Sequence, residues 1–185
     1  MRIIAGSRKG HTIHAPKGQE TRPTSDRVRE NVFNILGPVD GAAVLDLYAG
    51  SGALGLEALS RGAARAVFVE TDGDAVRAIE RNLDKLRLKA TVLRRDAVAV
   101  LATERTKYDL VFVDPPYDLY PDLEPQLARY LPGVLGDDGV LVLETDVRTE
   151  PGLPLDERTS RKYGQTRVTV YGNSRSSDGA RKGGK

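Results

Sequence analysis

The feature that most constrains the fold is a regular alternation of apolar and amphipathic segments between residues 42 and 145. Five apolar runs of strand length occur in order, namely AAVLDLYAG, RAVFVE, ATVLRR, YDLVFVD and GVLVLET. The intervening segments have apolar residues at helical spacing, most clearly in DAVRAIERNLDKL. Alternating strands and helices with nearly continuous apolar strands predict an α/β fold, with a mostly parallel sheet covered by helices on both faces.

The flanking segments are of a different kind. RIIAG and HTIHAP around SRKG predict a small hairpin with a basic tip, and TRPTSDRVRENVFNIL predicts a helix capped by Thr24 or Ser25. RKYGQTRVTVYG alternates like a late hairpin strand, whereas NSRSSDGARKGGK has the composition of a disordered tail. We therefore expect a basic extension over 1–38, the main domain over 39–172 and a basic tail over 173–185.

Composition excludes several kinds of site. The 185 residues include no cysteine, which rules out disulfides, zinc-thiolate sites and iron-sulfur clusters. The first residues lack the apolar core of a signal peptide, and no apolar run approaches the roughly 18 residues of a membrane span. We therefore expect a cytoplasmic protein that is not bound to a membrane.

Charge is distributed unevenly along the chain. The net charge is +2, but residues 1–29 carry +5, residues 173–185 carry +3 and the part between them carries −6. Basic ends on a mildly acidic body suit a polyanion such as a nucleic acid that is approached by the termini. Solvated charge that merely aids solubility explains the same pattern equally well.

A glycine-rich loop follows the first strand of the alternation. Gly50, Gly52 and Gly55 have G-x-G-x-x-G spacing, which lets the backbone turn tightly and approach a ligand whose anionic group can meet free N–H groups. Glu70 ends the next strand, where a carboxylate can accept both hydroxyls of a ribose. The pattern fits a dinucleotide or another adenosine-bearing cofactor.

Acidic residues end four successive strands: Asp46, Glu70, Asp96 and Asp114. The carboxyl ends of parallel strands share one edge of the sheet, so we expect these side chains to converge at the topological switch point. Asp46 is placed to orient an ammonium group, or only to bind loop amides. Asp96 is placed either to accept a hydrogen bond from an adenine amino group or only to cap the helix that follows it. Glu70 has a similar alternative to ribose binding, which is only to cap the helix that begins near Asp72.

The stretch DPPY at residues 114–117 suggests the chemistry. Two prolines stiffen the chain, and the notable acceptors are the Asp114 carboxylate and the Pro115 carbonyl. These acceptors match the two N–H bonds of an exocyclic amino group on a nucleobase, with Tyr117 stacked on the base. Holding both hydrogens out of the base plane aims the nitrogen lone pair at an electrophile, such as a methyl on a sulfonium.

The sequence resembles the amino-methyltransferases that use S-adenosylmethionine, whose signature is Asp or Asn followed by Pro, Pro and an aromatic residue. It is most similar to the RsmD-like bacterial enzymes that methylate N2 of a guanine in 16S ribosomal RNA. The resemblance covers nearly the whole chain up to Gly172. The matching blocks, in order, are RIIAGSRKG, TRPTSDRVRENVFNIL, LDLYAGSGALGLEALSRGA, VFVDPPY and YGQTRVTVYG.

The resemblance implies a Rossmann-like class I methyltransferase fold. That fold has a seven-stranded, mostly parallel sheet with a final antiparallel strand, plus an N-terminal hairpin and helix that help to grip RNA. It implies S-adenosylmethionine as cofactor, S-adenosylhomocysteine as product and no metal. It also implies a monomer that acts on 16S ribosomal RNA in a small-subunit particle.

The resemblance also assigns roles by position. The residues expected to bind the cofactor are Asp46, Gly50, Gly52, Glu70 and Asp96. Those expected to hold the base are Asp114, Pro115 and Tyr117. Those expected to contact RNA are the basic residues Arg2, Arg8, Lys9, Lys17 and Arg22.

Other functions remain open at this point. DPPY chemistry also suits a DNA methyltransferase acting on an adenine or cytosine amine, although the chain has no separate target-recognition domain. A nicotinamide oxidoreductase would use the glycine loop but would leave DPPY without a role. A binding module without catalysis is a further alternative, which replacement of Asp114 by Ala distinguishes: an enzyme should lose methylation and keep RNA binding.

Overall fold

The computed structural model describes residues 1–16 and 26–173, which form a seven-stranded sheet with helices on both faces. The strands are β1 (Ala43–Leu47), β2 (Arg65–Glu70), β3 (Thr91–Arg94), β4 (Tyr108–Val113), β5 (Leu135–Asp146), β6 (Asp156–Tyr163) and β7 (Thr166–Gly172). Their order is β3-β2-β1-β4-β5-β7-β6. Strands β1 to β5 pair in parallel, and β7 is antiparallel to both of its neighbours. The predicted fold class is confirmed.

Helices pack on both faces of the sheet, so alternate residues of a strand are buried on opposite faces. The helices are α1 (Asp26–Leu36), α2 (Ala53–Ser60), α3 (Gly73–Leu86), α4 (Ala97–Thr103) and α5 (Tyr120–Val134). Val44 and Phe112 face the core under α1, α2 and α3, whereas Leu45 and Val111 face the core under α4 and α5. This division follows from the two-residue period of a strand, whose neighbouring side chains point to opposite faces. Within the described residues, no helix is both long and apolar enough to cross a membrane.

The strand order reverses beside β1. The chain passes from β1 outward to β2 and β3, then returns to place β4 on the other side of β1. Crossover connections leave β1 and β4 in opposite directions, so a crevice opens beyond their carboxyl ends, where sheets of this kind bind ligands.

The N-terminal segment forms the predicted hairpin in outline. Arg2 and Thr12 form an antiparallel bridge, and the Ile3 N–H donates to the His11 carbonyl at 2.9 Å. The tip is a 3₁₀ turn at Gly6–Arg8 that packs against α2. Gly6 has φ of 81°, and a Cβ there would lie 1.8 Å from the Ser60 carbonyl oxygen, so only glycine fits this approach.

Some elements differ from the sequence-based expectation. Strand β6 begins before the predicted hairpin strand, and it is a mostly exposed, charged edge strand without clear alternation. Asn173, expected in the tail, is 5% exposed, and its Nδ2 donates to the Gly136 carbonyl. The predicted caps Thr24 and Ser25 lie outside the described residues, as does the tail from 174 onward.

Candidate active site

A cleft of about 490 Å³ opens at the carboxyl edge of the sheet. Its walls come from the segments that follow β1, β2, β3 and β4, together with the N-terminal segment and the first turn of α5. The four strand-end acids line it as expected: Asp46, Glu70, Asp96 and Asp114. A second cavity, of about 390 Å³, lies at the opposite edge and contains none of the predicted site residues.

The glycine loop has the left-handed backbone geometry that its composition allows. Gly50 and Gly52 have φ of 54° and 77°. Gly55 lies inside α2, where a Cβ would come within 2.4 Å of the Phe68 ring. Glycine is therefore required here for the left-handed turn and for close packing of α2 on β2.

Neighbouring groups already use the N–H groups of these glycines. Gly50 donates to Glu70 Oε2 at 2.8 Å, Gly55 donates to Asp46 Oδ2 at 2.9 Å, and Gly52 donates to the Ala49 carbonyl at 2.7 Å. These three amides are therefore not available to an anionic ligand group. Glu70, Asp96 and Asp114 line the cleft with carboxylates, which favour a cation.

Asp46 lies at the base of the cleft and is 2% exposed. Burial raises the pKa of its carboxyl to about 8, the Gly55 N–H opposes the rise, and the nearby Glu70 carboxylate adds to it. The Gly55 hydrogen bond also supplies a cap for α2, since Gly52 at the N-cap has no side chain. The position therefore combines support of the loop with access to a ligand.

The raised pKa of Asp46 predicts a pH effect on stability. The folded carboxyl holds its proton up to about pH 8, whereas the ordinary value is 3.8. The unfolded chain therefore binds fewer protons between these values, and the free energy of unfolding should fall as pH rises from about 4 to about 8. Urea unfolding of the protein and of Asp46→Asn across this range measures the effect. Identical pH slopes for the two proteins would contradict it.

Glu70 and Asp96 each perform a structural task at the cleft. Glu70 Oε1 accepts the N–H groups of Thr71 at 2.7 Å and Asp72 at 2.9 Å, while Asp72 itself caps α3. Asp96 accepts the Ala99 N–H at 2.8 Å and is the N-cap of α4. The capping interpretation therefore holds for Asp96. Both carboxylates also border the cleft, so a role toward a cofactor is compatible with these bonds.

Two cleft residues were missed by the sequence analysis. Tyr48 has φ of 57°, and its buried hydroxyl has no hydrogen-bond partner in the described part of the chain. Burial and the neighbouring Asp96 raise its pKa to about 12. Arg95 is exposed and borders the cleft directly after β3. Their only sequence signal is their position next to the strand-end acids.

The N-terminal segment was expected to grip RNA, but it also forms a wall of the cleft through Met1, Ala15 and Pro16. Asn82 of α3, fully buried, fixes this wall. Its Oδ1 accepts the His14 N–H at 2.7 Å, and its Nδ2 donates to the His14 and Ser51 carbonyls at 2.9 and 3.1 Å. One side chain thus joins the N-terminal segment to the glycine loop.

The DPPY loop is only partly as expected. Asp114 and Pro116 line the cleft, whereas Pro115 is buried beside it. From the sequence, the prolines should leave an extended segment with unpaired carbonyls, but the Pro116 carbonyl accepts the Leu119 N–H at 3.1 Å. No described residue donates to the Pro115 carbonyl.

Tyr117 does not line the cleft. Its hydroxyl lies 2.6 Å from Thr166 Oγ1 and donates to Glu144 Oε1 at 3.3 Å. These contacts tie the ring to the ends of β5 and β7, which no pattern in the sequence indicated.

The basic residues of the hairpin have different environments. Arg2 is exposed, 3.7 Å from Asp26, and Lys9 is exposed as well. Arg8 Nε donates to the Leu86 carbonyl at the end of α3, so this side chain helps to dock the hairpin. Lys17 and Arg22 lie outside the described residues. Among the described residues, no three His, Cys, Asp or Glu side chains are grouped so as to hold a metal ion.

Comparison with known proteins gives consistent matches over this fold. The family model described as Conserved hypothetical protein 95 matches residues 1–172. The chain is 42% identical over 158 residues to ribosomal RNA small subunit methyltransferase D of Escherichia coli K12, covering 83% of this chain and 78% of that protein.

Solved structures extend this comparison. The structure of the protein yhhF from Escherichia coli superimposes on this chain with a TM-score of 0.80 and 36% identity. The match covers 93% of this chain and 97% of yhhF. The 16S rRNA N2 G1207 methyltransferase of Thermus thermophilus, solved with AdoMet and guanosine, gives a TM-score of 0.69 and 26% identity, covering 84% and 44%. On its sequence, fold and cleft, the chain belongs to the Conserved hypothetical protein 95 family, the family of ribosomal RNA small subunit methyltransferase D.

Proposed function

We propose that this protein transfers a methyl group from S-adenosylmethionine to the exocyclic N2 amine of a guanine in 16S ribosomal RNA. The observation that carries the proposal is the convergence of four strand-end carboxylates, one of them Asp114 of the DPPY loop, on one cleft beside the glycine loop. Membership of the ribosomal RNA methyltransferase family supports the reaction class. The guanosine and AdoMet bound by the Thermus thermophilus neighbour support the base and the cofactor.

The residues of the cleft fit S-adenosylmethionine. In our assignment, Glu70 accepts the ribose hydroxyls, Asp96 accepts the adenine amine, and Asp46 faces the ammonium group near Gly50 and Gly52. The Tyr48 hydroxyl, buried without a partner among the described residues, is a further donor available to the bound molecule. When bound, S-adenosylmethionine supplies an electrophilic methyl on a positively charged sulfur, which suits an acidic cleft.

The DPPY loop would hold the nucleophile. Asp114 and the Pro115 carbonyl each accept one N–H of the target amine, which draws the nitrogen toward a tetrahedral geometry and frees its lone pair. The prolines fix the backbone so that the two acceptors stay at a constant separation. After transfer the nitrogen must lose one proton, and the Asp114 carboxylate is the acceptor in contact with it. Tyr117 would form one side of the base site by stacking.

The bonded glycine amides argue against the dinucleotide alternative. A pyrophosphate needs free N–H groups at the helix start, but Gly50 and Gly55 donate to Glu70 and Asp46. A dianionic group would also be repelled by the Glu70 carboxylate. A cationic cofactor meets neither obstacle.

The proposal is tested by supplying labelled S-adenosylmethionine with unmodified small ribosomal subunits, naked ribosomal RNA and duplex DNA. We expect label in the ribosomal RNA and none in the DNA. Label in the DNA alone would favour the DNA methyltransferase alternative. No label in any substrate would refute the proposal.

Substitution of Glu70 tests the cofactor assignment separately. Glu70→Gln should weaken binding of S-adenosylhomocysteine about tenfold, because hydrogen bonds to a charged acceptor contribute about 1.5–3 kcal/mol. Isothermal titration calorimetry measures the dissociation constant. Glu80→Gln, an exposed change on α3 away from the cleft, is the control and should leave it unchanged. Equal affinities for Glu70→Gln and the unmodified protein would remove Glu70 from the cofactor site.

A further inference from the structure

The turn between β6 and β7 reaches the edge of the sheet where the cleft opens. Because β7 runs antiparallel to β5, its first residue, Thr166, pairs with Asp146 at the carboxyl end of β5. The turn is tight, with Gly164 at φ of 59°, and the Gln165 carbonyl accepts the Val147 N–H at 2.8 Å. The C-terminal hairpin therefore presents its turn beside the DPPY loop.

Thr166 contacts the aromatic residue of that loop directly. Its Oγ1 lies 2.6 Å from the Tyr117 hydroxyl, and Glu144, 5% exposed, accepts from the same hydroxyl at 3.3 Å. A tyrosine ring has two side-chain torsions, so a bond at its hydroxyl together with the stiff Pro115–Pro116 backbone fixes both ends of the side chain.

We propose that Thr166 is a positioning residue that sets the orientation of the Tyr117 ring for the target base. The proposal deepens the function given above and rests on it, since it assumes that the ring meets the base. Thr166 acts through Tyr117 and needs no contact with base or cofactor. Through Thr166, the C-terminal hairpin contributes to the reaction as well as completing the sheet.

The test is a double-mutant cycle on the intact protein with small ribosomal subunits as substrate. Thr166→Val and Tyr117→Phe each remove one hydroxyl of the pair and keep the shape of the side chain. Each should lower the single-turnover rate about five- to tenfold, the effect of one lost hydrogen bond in the ordered site. Tyr117→Phe also loses the bond to Glu144, so the double variant should be no slower than Tyr117→Phe. The dissociation constant for S-adenosylhomocysteine should not change.

Thr169→Val is the matched control, because this buried residue of β7 also loses a hydroxyl contact, with Ser160 Oγ at 3.1 Å, away from Tyr117. It should leave the single-turnover rate close to that of the unmodified protein. Additive losses in the double variant, an unchanged rate in Thr166→Val, or an equal loss in Thr169→Val would overturn the proposal.

A second measurement does not depend on activity. In protein with labelled tyrosine rings, NMR relaxation should show a lower order parameter for the Tyr117 ring in Thr166→Val, with its signal assigned from the Tyr117→Phe spectrum. An unchanged order parameter would overturn the anchor even if the enzyme is active. Absence of methylation by the unmodified protein would instead refute the proposed function, while the NMR result would still decide the Tyr117 contact.

Discussion

Asp114→Ala is expected to lower the rate of methyl transfer by about 10²- to 10³-fold, the loss typical when a polar group that stabilises the reacting atoms is removed. The carboxylate lies at the edge of the cleft directly after β4, where it would accept one N–H of the target amine. Without it, the amine keeps its lone pair delocalised into the ring. Single-turnover kinetics on small ribosomal subunits measure the loss.

Two further variants show whether hydrogen-bond acceptance or negative charge matters at residue 114, and whether the effect is specific to that residue. Asp114→Asn keeps one acceptor oxygen and should be faster than Asp114→Ala, because the amide oxygen can still accept one N–H of the target amine. Asp118→Ala removes an exposed acid of the same loop that does not line the cleft, and the rate should stay close to that of the unmodified protein. RNA binding should be preserved in all three. Loss of RNA binding in Asp114→Ala would show that the change acts on structure and not on the reaction.

Glu57→Ala is expected to give the largest loss of stability, about 3–5 kcal/mol, because it leaves a buried guanidinium without its buried partner. Glu57 and Arg29 are both fully buried, with Arg29 Nε 3.6 Å from Glu57 Oε2. Glu57 also accepts the N–H groups of Ile4 at 2.8 Å and Ala5 at 3.0 Å. The substitution therefore also removes two of the hydrogen bonds that hold the N-terminal hairpin to α2.

Urea unfolding measures this loss as a shift in midpoint. The control is Arg77→Ala, which breaks an ion pair between Arg77 and Asp74 whose side chains are 58% and 54% exposed. An exposed pair contributes little, so we expect a change of no more than about 1 kcal/mol. A loss for Glu57→Ala as small as that of the control would contradict a large contribution of the buried pair to the free energy of unfolding.

The parallel sheet and its acidic edge could be predicted because both depend on local patterns. Strands such as 108–113 are nearly continuous apolar runs, and each of the acids lies where its strand ends. Once the strands are parallel, their carboxyl ends must share an edge. Asp46 and Asp114 could therefore be placed in the same cleft without knowledge of any long-range contact.

The remaining features depend on contacts between distant parts of the chain, which periodicity does not report. Asn82 bonds to His14, and Tyr117 bonds to Thr166, across sequence separations that no local pattern indicates. Strand β6 was not predicted over its full length because a charged edge strand needs no apolar alternation. The spacing of the glycines indicated their turn, but not that Glu70 and Asp46 would take two of their N–H groups.

The most direct test is mass spectrometry of nucleosides from small ribosomal subunits that were treated with this protein and S-adenosylmethionine. The subunits are taken from cells that lack the corresponding enzyme. We predict that N2-methylguanosine appears after treatment with the unmodified protein and is absent after treatment with Asp114→Ala. A methyl group on another atom, or equal methylation by the two proteins, would contradict the account.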